Sequence, residues 1–145
     1  MFRHLLLPTD GSELSLAAIR QGIQFAKESN ATVTGVSVTP EFHVLTFDTA
    51  SIEDTKEVFL AESRAHAQRS LALLKKVADE AGVSCDTEVA VSDHPYEAII
   101  RVAENKGCDL IMMASHGRRG AQALLLGSET QKVLTHTRIP VLVYR

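Results

Sequence analysis

The chain has 145 residues, 45% of them hydrophobic and 23% charged, with a formal net charge of −3. This composition suits a single globular domain spanning residues 1–145 with a real core, and argues against a disordered tail or a nucleic-acid binder with a basic face. No apolar stretch approaches a membrane span, and Met1-Phe2-Arg3-His4 runs straight into a strand, so a cytoplasmic protein without a signal peptide or membrane partner is expected.

Strand 1 is the apolar run from Phe2 to Pro8, which ends in the turn signal Pro8-Thr9-Asp10-Gly11. Helix 1 is expected from about Ser12 to Ser29, with Leu16, Ile19, Ile23 and Ala26 on one face. Either Asp10 or Ser12 suits its cap, and Asp10 with Glu13 has capping-box spacing. Strand 2 is the β-branched stretch from Ala31 to Val38. An aperiodic loop follows from Pro40 to about Glu53, made apolar by Phe42, Val44, Leu45 and Phe47. A loop of that length in a compact domain suggests a functional cover over the ligand end, or a surface for a partner.

Asp54 to Ala81 predicts a long helix 2, with Leu60, Ala67, Leu71, Leu74, Ala78 and Ala81 at helical spacing, stopped by Gly82. Strand 3 runs from Val83 to Val91, with Val83, Cys85, Thr87 and Val89 expected on one face. Pro95 opens helix 3, which ends at Gly107. Strand 4 is Asp109 to Met113. Ser128-Glu129-Thr130-Gln131 has capping-box spacing and starts helix 4 with Ser128 as its expected cap, and Ile139 to Tyr144 forms strand 5.

Strands alternating with helices predict an α/β fold: an open, doubly wound, parallel five-stranded sheet of order 3-2-1-4-5 with helices on both faces. In that order strands 1 and 4 are neighbours where the winding reverses, and ligands bind above the C-terminal ends of such a pair. The loops that open there are Pro8 to Gly11 and Ala114 to Gly127. The second carries Ser115, His116, Gly117, Arg118, Arg119 and Gly120, then Gly127-Ser128 at a helix start. Backbone N–H groups in a glycine-punctuated loop before a helix suit a phosphate.

Plainer roles compete at several positions. Asp10 also serves as a cap, Gly117 and Gly120 as tight-turn glycines, and Arg118 and Arg119 as solvated charges. Ser115-His116 invites a nucleophile–base reading, but adjacent loop residues seldom point together and no orienting acid is evident. His4, His43, His66, His94 and His136 are dispersed without a metal-ligand spacing, and Cys85 and Cys108 read as reduced thiols. The spacing is not that of a P-loop.

The segments Leu7-Pro8-Thr9-Asp10-Gly11-Ser12, Asp109 to Gly117 and Ile139-Pro140-Val141-Leu142-Val143 together resemble the universal stress protein family, in its UspA-like single-domain branch. ATP-binding members of that family carry G-x2-G-x9-G-(S/T). Gly117 and Gly127-Ser128 match the second and third glycines, while Ala114 stands at the first position.

The resemblance implies a stress-response binding protein rather than an enzyme, with ATP and Mg2+ in the crevice. Asp10 and the backbone of Val38 would border the adenosine, with Pro8 as the floor beside Thr9. Met113 to Gly117 would line the ribose and phosphates, and Gly127, Ser128 and Glu129 would meet the phosphates. Glu129 puts a carboxylate where it competes with that anion. Ile139, Val141, Leu142 and Val143 would pair across a two-fold axis in a homodimer, in line with an apolar edge strand. The alternative is a dimeric relative that binds no nucleotide and acts by protein association alone.

Overall fold

A computed structural model describes residues 1–44, 49–117 and 125–145, with the backbone alone at 49–52. The elements follow the order β1 (His4–Pro8), α1 (Glu13–Ser29), β2 (Thr32–Thr39), α2 (Thr49–Ala81), β3 (Cys85–Val91), α3 (Pro95–Asn105), β4 (Leu110–Ala114), α4 (Ser128–His136) and β5 (Val141–Tyr144). All pairings are parallel and the sheet order is β3-β2-β1-β4-β5, as alternation and handedness predict.

The central strands alternate their side chains between two cores. Leu5, Leu7, Leu110 and Met112 pack with Ile19, Ile23, Leu74 and Ala78 from α1 and α2. Leu6, Ile111 and Met113 pack with Ile99, Val102 and Val133 from α3 and α4. Both faces are therefore covered, which is why β1 and β4 read as continuous apolar runs. Cys85 and Cys108 lie in opposite cores, and burial pushes each thiol up to about 11.

Two expectations change. α2 begins at Thr49, inside the segment expected as loop, because its first turns carry too few apolar positions to show a helical period. On β3, Thr87 is exposed while Ala90 is buried, since this edge strand is covered by α2 near Cys85 and by α3 near Ala90. Phe42 packs on Phe59 of α2, ring centroids 5.5 Å apart. Leu45 and Phe47 lie outside the described residues.

Candidate functional site

The site is assembled where β1 and β4 end side by side. After Pro8, buried Thr9 donates its N–H to Val36 O at 2.9 Å. Its hydroxyl accepts from Gly11 N–H and from Ser15 Oγ–H, at 3.2 and 2.9 Å. Asp10 accepts Ser12 N–H on Oδ1 at 2.9 Å, which turns the chain into α1. The cap itself is Ser12, whose Oγ accepts Ser15 N–H, so the Asp10–Glu13 capping box is not formed. Asp10 is thus held at the mouth of the crevice rather than spent on the helix.

Hydrogen-bond directions alternate along a parallel strand. Val36 O bonds toward β1 and Thr39 O toward β3, where it accepts Ser92 N–H. Val38 therefore directs its N–H and C=O toward the β1 side, beyond the point where β1 has ended at Pro8.

The β4 side is built on close backbone contacts. Met113 is buried, Ala114 O accepts Thr130 Oγ1–H, and Ser115 N–H donates to Tyr144 O. Ser115 O accepts Gly127 N–H at 2.7 Å, closing the loop onto its own start. A Cβ on Gly127 would lie 3.1 Å from His116 Cα and 3.3 Å from Ser115 O. A Cβ on Gly117 would collide with the Asp10 carboxylate, so this glycine is what lets the two loops meet. Neither needs a left-handed backbone, and Ala114 likewise has no positive φ. Its methyl fits the extended end of β4.

The start of α4 departs from the sequence reading. Gly127 is the N-cap, extended at φ −63° and ψ 155°, and among the described residues no side chain caps the helix. Ser128 is the first helical residue and is exposed. Gln131 donates instead to Leu126 O at 2.9 Å, so no capping box forms. The Glu129 carboxylate turns away from this end. Its Oε2 accepts Tyr96 N–H at 2.9 Å, serving the first turn of α3, and Oε1 lies 3.6 Å from Lys132 Nζ. The expected competition with an anion is thereby reduced, because the negative charge is engaged elsewhere.

Ser115 Oγ and His116 Nδ1 share a 3.3 Å hydrogen bond, contrary to the expectation that these neighbours point apart. Among the described residues no second group bonds the ring of His116. Arg118, Arg119 and Gly120 lie outside the described residues.

Comparison with known proteins now bears on this arrangement. The Universal stress protein family matches residues 1–145. The chain belongs to the universal stress protein family. Its relatives include Universal stress protein MJ0531 of Methanocaldococcus jannaschii, 34% identical over 145 residues, covering all of this chain and 83% of that one. Universal stress protein YxiE of Bacillus subtilis (strain 168) is 32% identical over 149 residues, with both chains covered completely. The solved structure of MJ0577, also from Methanocaldococcus jannaschii, superposes with a TM-score of 0.83 at 29% identity. It covers 99% of this chain and 95% of its own.

Two features of this family member escape linear reading. His43 pairs with Asp93, whose carboxylate also accepts Glu41 N–H at 3.0 Å. The side-chain hydrogen bond from His43 holds the Asp93 carboxyl below the usual carboxylate range, against its partial desolvation. Glu41, His43 and Asp93, all exposed, are the group among the described residues whose donor atoms lie near enough to share a metal ion. The second feature is a cleft of ≈ 270 Å³ between the end of β2 and α2, whose lining includes Glu62, Ser63 and His66. The signal for it is the step Ser63, His66, Ser70, which continues the helical spacing of the buried stripe with polar residues. No helix among the described residues is long and apolar enough to cross a membrane.

Proposed function

We propose that this universal stress protein is a cytoplasmic, adenine-nucleotide-binding regulatory module that takes ATP in the crevice above β1 and β4. The observation that carries this reading is the open start of α4. First-turn N–H groups of a helix lack intrahelical partners and attract anions. Among the described residues no side chain caps them, and the nearby carboxylate of Glu129 is engaged by α3. Gly127 lets the start of α4 close onto the Ser115–His116 backbone, and Ser128 adds an exposed hydroxyl.

At the other end, the N–H and C=O of Val38 suit an acceptor-beside-amino edge such as adenine presents. Asp10 stands between for the ribose, over the floor made by Pro8 and Thr9. Met113, Ala114, Ser115, His116 and Gly117 form the wall. Arg118, Arg119 and Gly120, expected as phosphate contacts from the sequence, lie outside the described residues, and Mg2+ would accompany ATP and offset its charge. Two proteins of the same fold are known as nucleotide complexes. One is a universal stress protein with cAMP, at TM-score 0.72 and 22% identity. The other, from Archaeoglobus fulgidus, holds dAMP, at TM-score 0.70 and 15% identity.

The proposed role is binding rather than turnover, since His116 has no orienting acid among the described residues. Regulation would act through a homodimer. β5 pairs with β4 along one side, and Leu142 is 36% exposed at this sheet edge. Together with Ile139, Val141 and Val143 it offers an apolar strand to a second copy. Calorimetric titration with Mg-ATP should show saturable binding, and protein denatured when fresh should release adenine nucleotide. Undetectable binding at millimolar nucleotide would overturn the reading in favour of association alone.

A further inference from the structure

β2 and β3 pair in register as far as Thr39↔Val91, so the segments that leave them start side by side. Ser92 N–H donates to Thr39 O at 2.9 Å, and Glu41 N–H donates to Asp93 Oδ1 at 3.0 Å. These bonds hold the exit of β2 against the turn that precedes α3. The other oxygen of Asp93, Oδ2, meets Nε2 of His43. Glu41, His43 and Asp93 thereby present one donor atom each, all within 4.8 Å of one another.

The charge and the chemistry of this group suit a cation. Two carboxylates of like charge stand together, and neither pairs with a Lys or Arg among the described residues. All three residues are exposed, so an ion has a way in and the side chains have freedom to close on it. Two ligands of one ion, each about 2.0–2.2 Å from it, lie up to about 4.4 Å apart, so small side-chain rotations complete the set. The donors also select the ion. Mg2+ and Ca2+ are held by oxygen, whereas an imidazole beside carboxylates suits zinc and its transition-metal neighbours.

We infer that Glu41, His43 and Asp93 form a site for a divalent transition-metal ion, represented by zinc, that ties the exit of β2 to the turn before α3. Three protein ligands leave a coordination position open to water, unlike the closed set of four in a structural zinc site. The site uses none of the residues assigned above to the nucleotide, and it stands whether or not the chain binds one.

The test is calorimetric titration of the untagged full chain with zinc chloride, in the absence of nucleotide. One ion per chain should bind saturably, while Mg2+ at the same concentrations should give no heat. Loss of even an outer partner of a metal site costs about 10–100-fold in affinity, so His43→Gln and Asp93→Asn, which remove ligands, should each weaken zinc binding at least tenfold. Asp93→Asn keeps an oxygen for Glu41 N–H, so its melting temperature without zinc should match the wild type. His94→Gln removes an exposed histidine next in sequence to the site and should leave zinc affinity unchanged. A wild-type chain that binds no zinc, unaltered affinity in both ligand variants, or an equal loss in His94→Gln would each overturn the inference.

Discussion

α1 and α4 both begin at the crevice, each directly after a central strand and its turn, yet they begin differently. α1 is closed by its own Ser12, and the preceding Asp10 carboxylate secures the turn. α4 begins at Gly127 with no side chain on its first N–H groups among the described residues. Even α3, whose His94 gives no cap, receives the Glu129 carboxylate at Tyr96 N–H. The fold thus supplies side-chain acceptors to the starts of α1 and α3 and, among the described residues, none to the start of α4. A cap is worth about 1 kcal/mol to a helix, so α4 starts with less local support than α1.

The comparison breaks most sharply at the glycines. Gly127→Val places a branched side chain where a Cβ alone already approaches His116 Cα to 3.1 Å, and Gly117→Val drives into Asp10. Either is expected to abolish ATP binding in calorimetry, with an overpacking cost of about 1–3 kcal/mol. The two serines separate the helices next. Ser12→Ala should cost about 1 kcal/mol in urea unfolding. Ser128→Ala should stay within about 0.5 kcal/mol, because Ser128 is exposed and caps nothing. Equal costs at the two positions would dissolve the contrast.

Glu129→Ala removes the acceptor from α3, so the Tyr96 amide should exchange with solvent faster. The expected loss is about 0.5–1 kcal/mol of stability. The smallest effect belongs to the opposite end of the central strands, where Asp109 accepts the amides of Arg3 and His4. Partial desolvation acts to raise its carboxyl, but the hydrogen bonds from His4 and Arg3 outweigh it and hold it below the ordinary value. A depressed carboxylate stabilises the fold above its unfolded pKa of about 3.9, and the gain is lost as pH falls through the lower folded value. Asp109→Asn should therefore be slightly less stable at neutral pH, and the difference should vanish in acid-unfolding curves at their low-pH end.

Helix caps were the least legible part of the site. Ser128-Glu129-Thr130-Gln131 carries the right residue types for a capping box, but a cap also needs an extended backbone at the serine. That conformation falls one residue earlier, at Gly127. Glu129 and Gln131 each find partners nearer to hand, Tyr96 N–H and Leu126 O. The pairing of His43 with Asp93 was invisible for a related reason. The two are 50 positions apart, and they meet because β2 and β3 run in register from Val33↔Cys85 to Thr39↔Val91.

Sequence by itself determined the sheet order, the two cores and the place where the crevice opens. Those depend on periodicity, on glycine and proline punctuation and on the handedness of crossovers, all properties of short segments. Tertiary structure alone decided which helix start stays open, where the Glu129 charge goes, and that Ser63 and His66 of α2 stand opposite Ser37 and Thr39. These depend on how elements distant in sequence are aligned, and a hydrogen bond, unlike hydrophobic burial, is decided by a few tenths of an ångström and the direction of a single donor.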